Sequence, residues 1–64
     1  MKIYERVRTI CEQKGVTVAS VESQAGLGHA TIRKWDDSVP RIDSLLAVSK
    51  ILDVSIEALI GEQP

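Results

Sequence analysis

Sixty-four residues, 44% of them hydrophobic and 27% charged, are enough for one small domain and exclude a two-domain enzyme. The formal net charge of -1, eight Lys and Arg against nine Asp and Glu, excludes a uniformly basic nucleic-acid binder, and the hydrophobic content excludes a disordered chain. One cysteine, Cys11, and one histidine, His29, supply neither an internal disulfide nor a four-ligand zinc site, so stability is expected from apolar packing, with no metal and no cofactor.

Ile3, Val7 and Ile10 recur at i, i+4 and i+7, one stripe of a helix at about 100° per residue, with Glu5, Arg8, Thr9 and Glu12 opposite. Lys14-Gly15 supplies a basic last turn and a residue suited to a left-handed cap. Cys11, at the stripe's edge, reads as a small buried apolar residue, because no partner base is identifiable. Thr17 suits the cap of a second helix, whose apolar positions are Val18, Val21 and Ala25 and whose stop is Gly26. After the short link Leu27-Gly28, a third helix is expected over about residues 28–36. It ends before Asp37-Ser38-Val39-Pro40, where the proline disfavours helix at Val39.

A fourth helix over about 42–52 has apolar residues at 42, 45, 46, 48, 51 and 52, more than one face needs, and is expected to be central. Ser55 then caps a last helix in which Ile56, Leu59 and Ile60 share a face before Gly61. Apolar residues keep helical rather than alternating spacing, and no Asn-Gly or Asp-Gly hairpin turn occurs, so no sheet is expected. The reading is an all-α chain of five helices in one domain over 1–61, followed by a short tail over 62–64. No apolar run approaches the roughly 18 residues of a membrane span, and the start MKIYERVR has no apolar signal core. A cytoplasmic protein without a membrane partner is expected.

Charge is unevenly spread. Residues 1–35 carry six basic and three acidic side chains, residues 36–64 two and six, which makes the halves +3 and -4. On a helical wheel of residues 28–36, Thr31, Ile32 and Trp35 fall on one side, and His29, Ala30, Arg33 and Lys34 on the other. Ile32 and Trp35 would anchor this helix, with Trp35 in the core rather than stacked on a base. The opposite side is either an ordinary solvated basic face or one made for the DNA major groove, which is about 12 Å wide and offers guanine O6 and N7 to Arg or Lys.

The string Thr17 to Asp36, with Ala25-Gly26, Leu27, Ile32 and Trp35 at their spacing, resembles the helix-turn-helix of the phage repressor and Cro (Xre) family. Pro40, Leu45-Leu46, Ile51-Leu52-Asp-Val-Ser and Leu59-Ile60-Gly61 resemble the family's later segments, so the likeness covers nearly the whole chain. It implies a compact five-helix lambda-repressor-like DNA-binding domain, with a helix-turn-helix formed by helices 2 and 3. Gly26 would permit the sharp turn and Leu27 would plug the space beneath it. The implied function is a sequence-specific double-stranded DNA-binding transcriptional regulator of repressor type.

By the same resemblance, the DNA-binding residues are Thr17, Gly28, His29, Ala30, Arg33, Lys34 and Arg41. His29 and Ala30 would meet base edges, with Lys34 one turn on. Arg33 would read a base or a phosphate. Thr17 and Val18, at the start of the second helix, would sit over the backbone, with Arg41 as a further phosphate contact. His29 is otherwise a bystander on the surface.

Three departures from the family pattern stand out. Val18 replaces a glutamine that clamps a phosphate. Glu22 stands where alanine is frequent, and its carboxylate would pair with a cation such as Arg6, accept from the amides opening the third helix, or turn to solvent. The acidic balance lowers non-specific DNA affinity, which comes from phosphate neutralisation, so a monomer would bind poorly. The family's paired half-sites imply a homodimer, at least on DNA. Ile51, Ile56 and Ile60 are either its exposed interface or part of the core.

The rival reading is a protein-interaction module on the same fold, such as an antitoxin-like partner. No nucleophile and base, metal cluster or phosphate-binding glycine loop can be assembled, so no enzyme is expected.

Overall fold

The computed structural model describes residues 2–61; the tail expected over 62–64 lies outside them. The chain is all-helical and compact. Four α-helices form, α1 (Ile3–Lys14), α2 (Val18–Gln24), α3 (Ile42–Leu52) and α4 (Ile56–Ile60), together with one short 3-10 helix over Ile32–Asp36. Among the described residues there are four α-helices rather than the expected five, because the segment expected as the third is a turn followed by 3-10 helix.

The caps set the helix limits. The Gly15 backbone is left-handed at φ 72°, and the amides of Gly15 and Val16 donate to the carbonyls of Glu12 and Cys11. The Thr17 hydroxyl accepts from the Ser20 amide at 3.1 Å, and the Ser55 hydroxyl accepts from the Ala58 amide at 3.2 Å. At the start of α1 the cap comes from far along the chain. The Tyr4 amide donates to Asp36 Oδ1 at 2.9 Å, so the end of the 3-10 helix closes the beginning of α1.

α1 packs against the 3-10 helix and α4, while α2 packs against α3 and α3 against α4. Their shared core holds Ile3, Val7, Cys11, Val21, Ile32, Trp35, Leu45, Val48, Leu52 and Leu59. Complete burial of a Val, Ile or Leu contributes about 1.5–3 kcal/mol before entropy is counted. In a chain without a disulfide, these contacts are the main source of stability.

Two faces differ from the wheel. Cys11 rather than Ile10 completes the buried stripe of α1 with Ile3 and Val7, and Ile10 is only half-buried. Burial raises the Cys11 thiol pKa, which keeps it neutral at physiological pH. On α3 the buried stripe is Leu45, Val48, Ser49 and Leu52, at i, i+3, i+4 and i+7. Ile42 and Leu46 are 63% and 43% exposed, so α3 is not buried all round. Ile51 and Ile60 are half-buried against the core and Ile56 is half-buried, so the exposed large apolar side chains among the described residues are Val16, Ile42, Leu46 and the 89%-exposed Val39.

Candidate nucleic-acid interface

The link from α2 to the 3-10 helix is fixed by hydrogen bonds at each step. Gly26 takes the left-handed conformation at φ 72°, its amide donates to the Ser23 carbonyl, and the Leu27 amide donates to the Glu22 carbonyl at 2.9 Å. This pair of bonds closes the end of α2. Leu27 is half-buried against the core beneath the turn.

The Glu22 carboxylate settles the alternatives its position left open. It is 5% exposed, with Oε1 accepting from the Ala30 amide at 3.3 Å and Oε2 from the Ile32 amide at 2.9 Å. It therefore accepts from the amides leading into the 3-10 helix, neither turning to solvent nor pairing with Arg6.

Residues 28–31 are not the first turn of an α-helix. The Thr31 hydroxyl donates to the Gly28 carbonyl at 2.7 Å, the Thr31 amide donates to the same oxygen at 3.2 Å, and Ala30 has φ 62°. A left-handed alanine ends any continuous right-handed helix at that residue. The i to i+3 pattern then continues, with the Lys34 amide donating to the Thr31 carbonyl and the Asp37 amide to the Lys34 carbonyl.

Left-handed backbone costs an alanine about 1–2 kcal/mol and a glycine almost nothing. Ala30→Gly is therefore expected to raise stability by about 0.5–1 kcal/mol in urea titration, even after the greater entropy of the unfolded glycine is counted. A loss of stability would contradict the left-handed assignment.

In a 3-10 helix side chains three apart eclipse one another, so the side chains leave along three edges about 120° apart. Ile32 and Trp35 share the inward edge and are both buried. Arg33 and Lys34 occupy the other two edges and are both exposed, so they diverge instead of sharing one face.

Arg33 borders a shallow cleft of about 120 Å³ lined also by His29, Ala30, Glu22, Tyr4 and the α2 residues Val18 and Ala19. Three expected site residues, His29, Ala30 and Arg33, are thus brought together beside the start of α2. His29 is exposed, while Ala30 is half-buried and not on an outward face. Thr17, Gly28, Lys34 and Arg41 do not line this cleft. Thr17 is exposed and uses its hydroxyl as the α2 cap, and Gly28 is exposed in the link. Arg41 lies before α3, its Nε 3.3 Å from Asp43 Oδ1 in an exposed pair of the kind that contributes little.

Among the described residues, neither Arg33 nor Lys34 has a carboxylate within ion-pair distance. Two acidic groups of this region accept from backbone amides, Glu22 from Ala30 and Ile32 and Asp36 from Tyr4, while Asp37 is exposed. The two cations are therefore available to an external anion. Tyr4 and Ala19 are the lining residues that helical periodicity did not single out, and the place of Tyr4 depends on the contact between α1 and the 3-10 helix. Comparison with family models, with curated proteins and with solved structures finds no match to this chain.

Proposed function

We propose that this protein is a sequence-specific double-stranded DNA-binding transcriptional regulator, of repressor type, that reads the major groove with the segment over 28–36. In this reading α2, the Gly26 turn and the 3-10 helix serve as a helix-turn-helix of the repressor and Cro kind. The observation that carries it is the exposed Arg33, with no carboxylate within ion-pair distance among the described residues, beside His29 in the cleft at the start of α2, on a segment held from beneath by buried Ile32 and Trp35.

In this reading Arg33 and His29 are the side chains that donate to base edges. Lys34, on its separate edge, and Arg41 are assigned to phosphates, with Thr17 and Gly28 at the margins of the contact. The half-buried Ala30 shapes the turn rather than reaching a base. With a net charge of -1, one copy neutralises few phosphates, so the reading requires two copies on two half-sites about one helical turn apart.

Both cations are exposed and unpaired among the described residues, so Arg33→Ala and Lys34→Ala are each expected to change stability by less than about 0.5 kcal/mol. Each is expected to weaken duplex binding, and each lost phosphate contact should reduce the slope of log affinity against log salt by about 0.9. Arg33→Ala should in addition lower discrimination between sequences, because a lost base contact is worth about 1–3 kcal/mol there. Unchanged affinity and slope in both variants would refute the assignment.

One observation favours a second reading, a module that contacts protein. Val39, Ile42 and Leu46 are uncovered apolar side chains, and Ile42 and Leu46 stand one turn apart on α3. The same titration separates the two, since an apolar protein contact changes little with salt while a phosphate contact weakens steeply.

A further inference from the structure

Glu22 combines three features. It is a buried carboxylate with no cation within ion-pair distance among the described residues, its backbone carbonyl and both carboxylate oxygens accept from amides of Leu27, Ala30 and Ile32, and it lines the cleft shared by His29 and Arg33. One residue of α2 therefore holds three points of the segment that carries the exposed side chains. Two of those points bracket Thr31, and one is Ala30, whose left-handed backbone is unfavourable for an alanine.

We infer that Glu22 is the positioning residue of the DNA-reading segment: it touches no base or phosphate, and it sets the direction in which His29 and Arg33 leave the surface. The inference rests on the DNA-binding reading above. Two of the bonds anchor opposite ends of the link. The carbonyl bond from Leu27 fixes the exit from α2, and the Oε2 bond from Ile32 fixes the entry to the 3-10 helix. The Oε1 bond from Ala30 holds the residue after His29 in the turn. A carboxylate suits this task because it accepts with both oxygens and donates with neither, whereas a glutamine turns an amino group toward one of the two amides.

The sign of the effect distinguishes positioning from simple electrostatics. Glu22 places a negative charge in a cleft that would face phosphates, so its neutralisation should strengthen binding if charge were all that mattered. Positioning predicts the opposite for a specific site.

The test compares wild type with Glu22→Gln and Glu22→Asp, at a temperature where each is fully folded. The readouts are affinity for a duplex enriched from a random pool, affinity for a random duplex of equal length, and amide hydrogen exchange at Ala30 and Ile32. Expected for Glu22→Gln is a roughly tenfold or larger loss on the enriched duplex, the scale of one base contact, with random-duplex affinity unchanged or raised. Exchange should quicken at Ala30 and Ile32 while the α1 and α3 amides stay protected. Glu22→Asp keeps the charge but is one methylene shorter and unable to span both amides, so it should also lose the enriched duplex; it decides the matter if Glu22→Gln does not fold.

Equal losses on both duplexes would reduce Glu22 to a stability role and overturn the inference, as would tighter or unchanged binding to the enriched duplex. If wild type enriches no duplex, the DNA-binding reading fails, and the exchange arm still decides for Glu22. Loss of protection confined to Ala30 and Ile32 supports it as the holder of this segment, and wild-type protection in the variants overturns it.

Discussion

Trp35→Ala is expected to abolish most of the cooperative unfolding transition. Trp35 is 5% exposed and shares the inward edge of the 3-10 helix with the fully buried Ile32, in the layer between that helix and α1. Truncation of a buried aromatic costs about 3–5 kcal/mol, from lost transfer energy and from the cavity left behind. A domain of this size has a total stability of roughly 3–10 kcal/mol, so one substitution removes a large part of it. The damage would also spread, because the helix that carries Trp35 supplies, through Asp36, the acceptor for the Tyr4 amide at the start of α1. The check is thermal and urea unfolding followed by far-ultraviolet circular dichroism. A near-wild-type midpoint would mean that Trp35 lies at the surface and that the inward edge is misassigned.

Glu22→Ala is expected to be the most destabilising change of a charged residue, by about 2–4 kcal/mol in urea titration. It leaves the Ala30 and Ile32 amides without their acceptor, and a buried polar group stripped of its partner costs about 1–3 kcal/mol. The shorter bond, to Ile32 at 2.9 Å, should account for more of the loss than the bond to Ala30 at 3.3 Å. Part is returned because no buried charge then has to be accommodated. Exposed Glu12, which pairs with Arg8 at 3.7 Å one turn away, is the natural comparison, and its replacement by alanine should change stability little. Similar small effects at both positions would contradict the buried, amide-bound state of Glu22.

The helices were legible where local chemistry decides them. Thr17 and Ser55 are caps by side-chain hydrogen bond, Gly15 and Gly61 end helices in left-handed conformation, and α3 spans the expected 42–52. Ile32 and Trp35 were legible as an anchoring pair because i, i+3 spacing faces inward in α and 3-10 geometry alike. The segment over 28–31 was not, since its shape depends on Glu22, eight and ten residues away from the amides it accepts. Nothing in a helical wheel represents that contact, and alanine, the best helix former, gives no hint of a left-handed turn.

The apolar faces show the same limit. Periodicity marked α3 as apolar on more than one face but not which of those residues a neighbour covers. Ile51 packs on the core while Ile42 and Leu46 stand uncovered. Of the candidate site, His29, Ala30 and Arg33 came together as a cluster. The helical wheel and the family resemblance group Lys34 with them, and the resemblance alone adds Arg41, whereas the three-edged 3-10 geometry and the Asp43 pair set those two apart.

The central claim, that the segment carrying His29 and Arg33 reads duplex DNA, is tested most directly by selecting bound sequences from a random duplex pool with the folded protein at low salt. The expected result is enrichment of a palindrome with half-sites about one helical turn apart, bound less tightly as salt rises and poorly by Arg33→Ala. Folded protein that enriches no sequence, or an enriched duplex that Arg33→Ala binds as well as wild type, would contradict it.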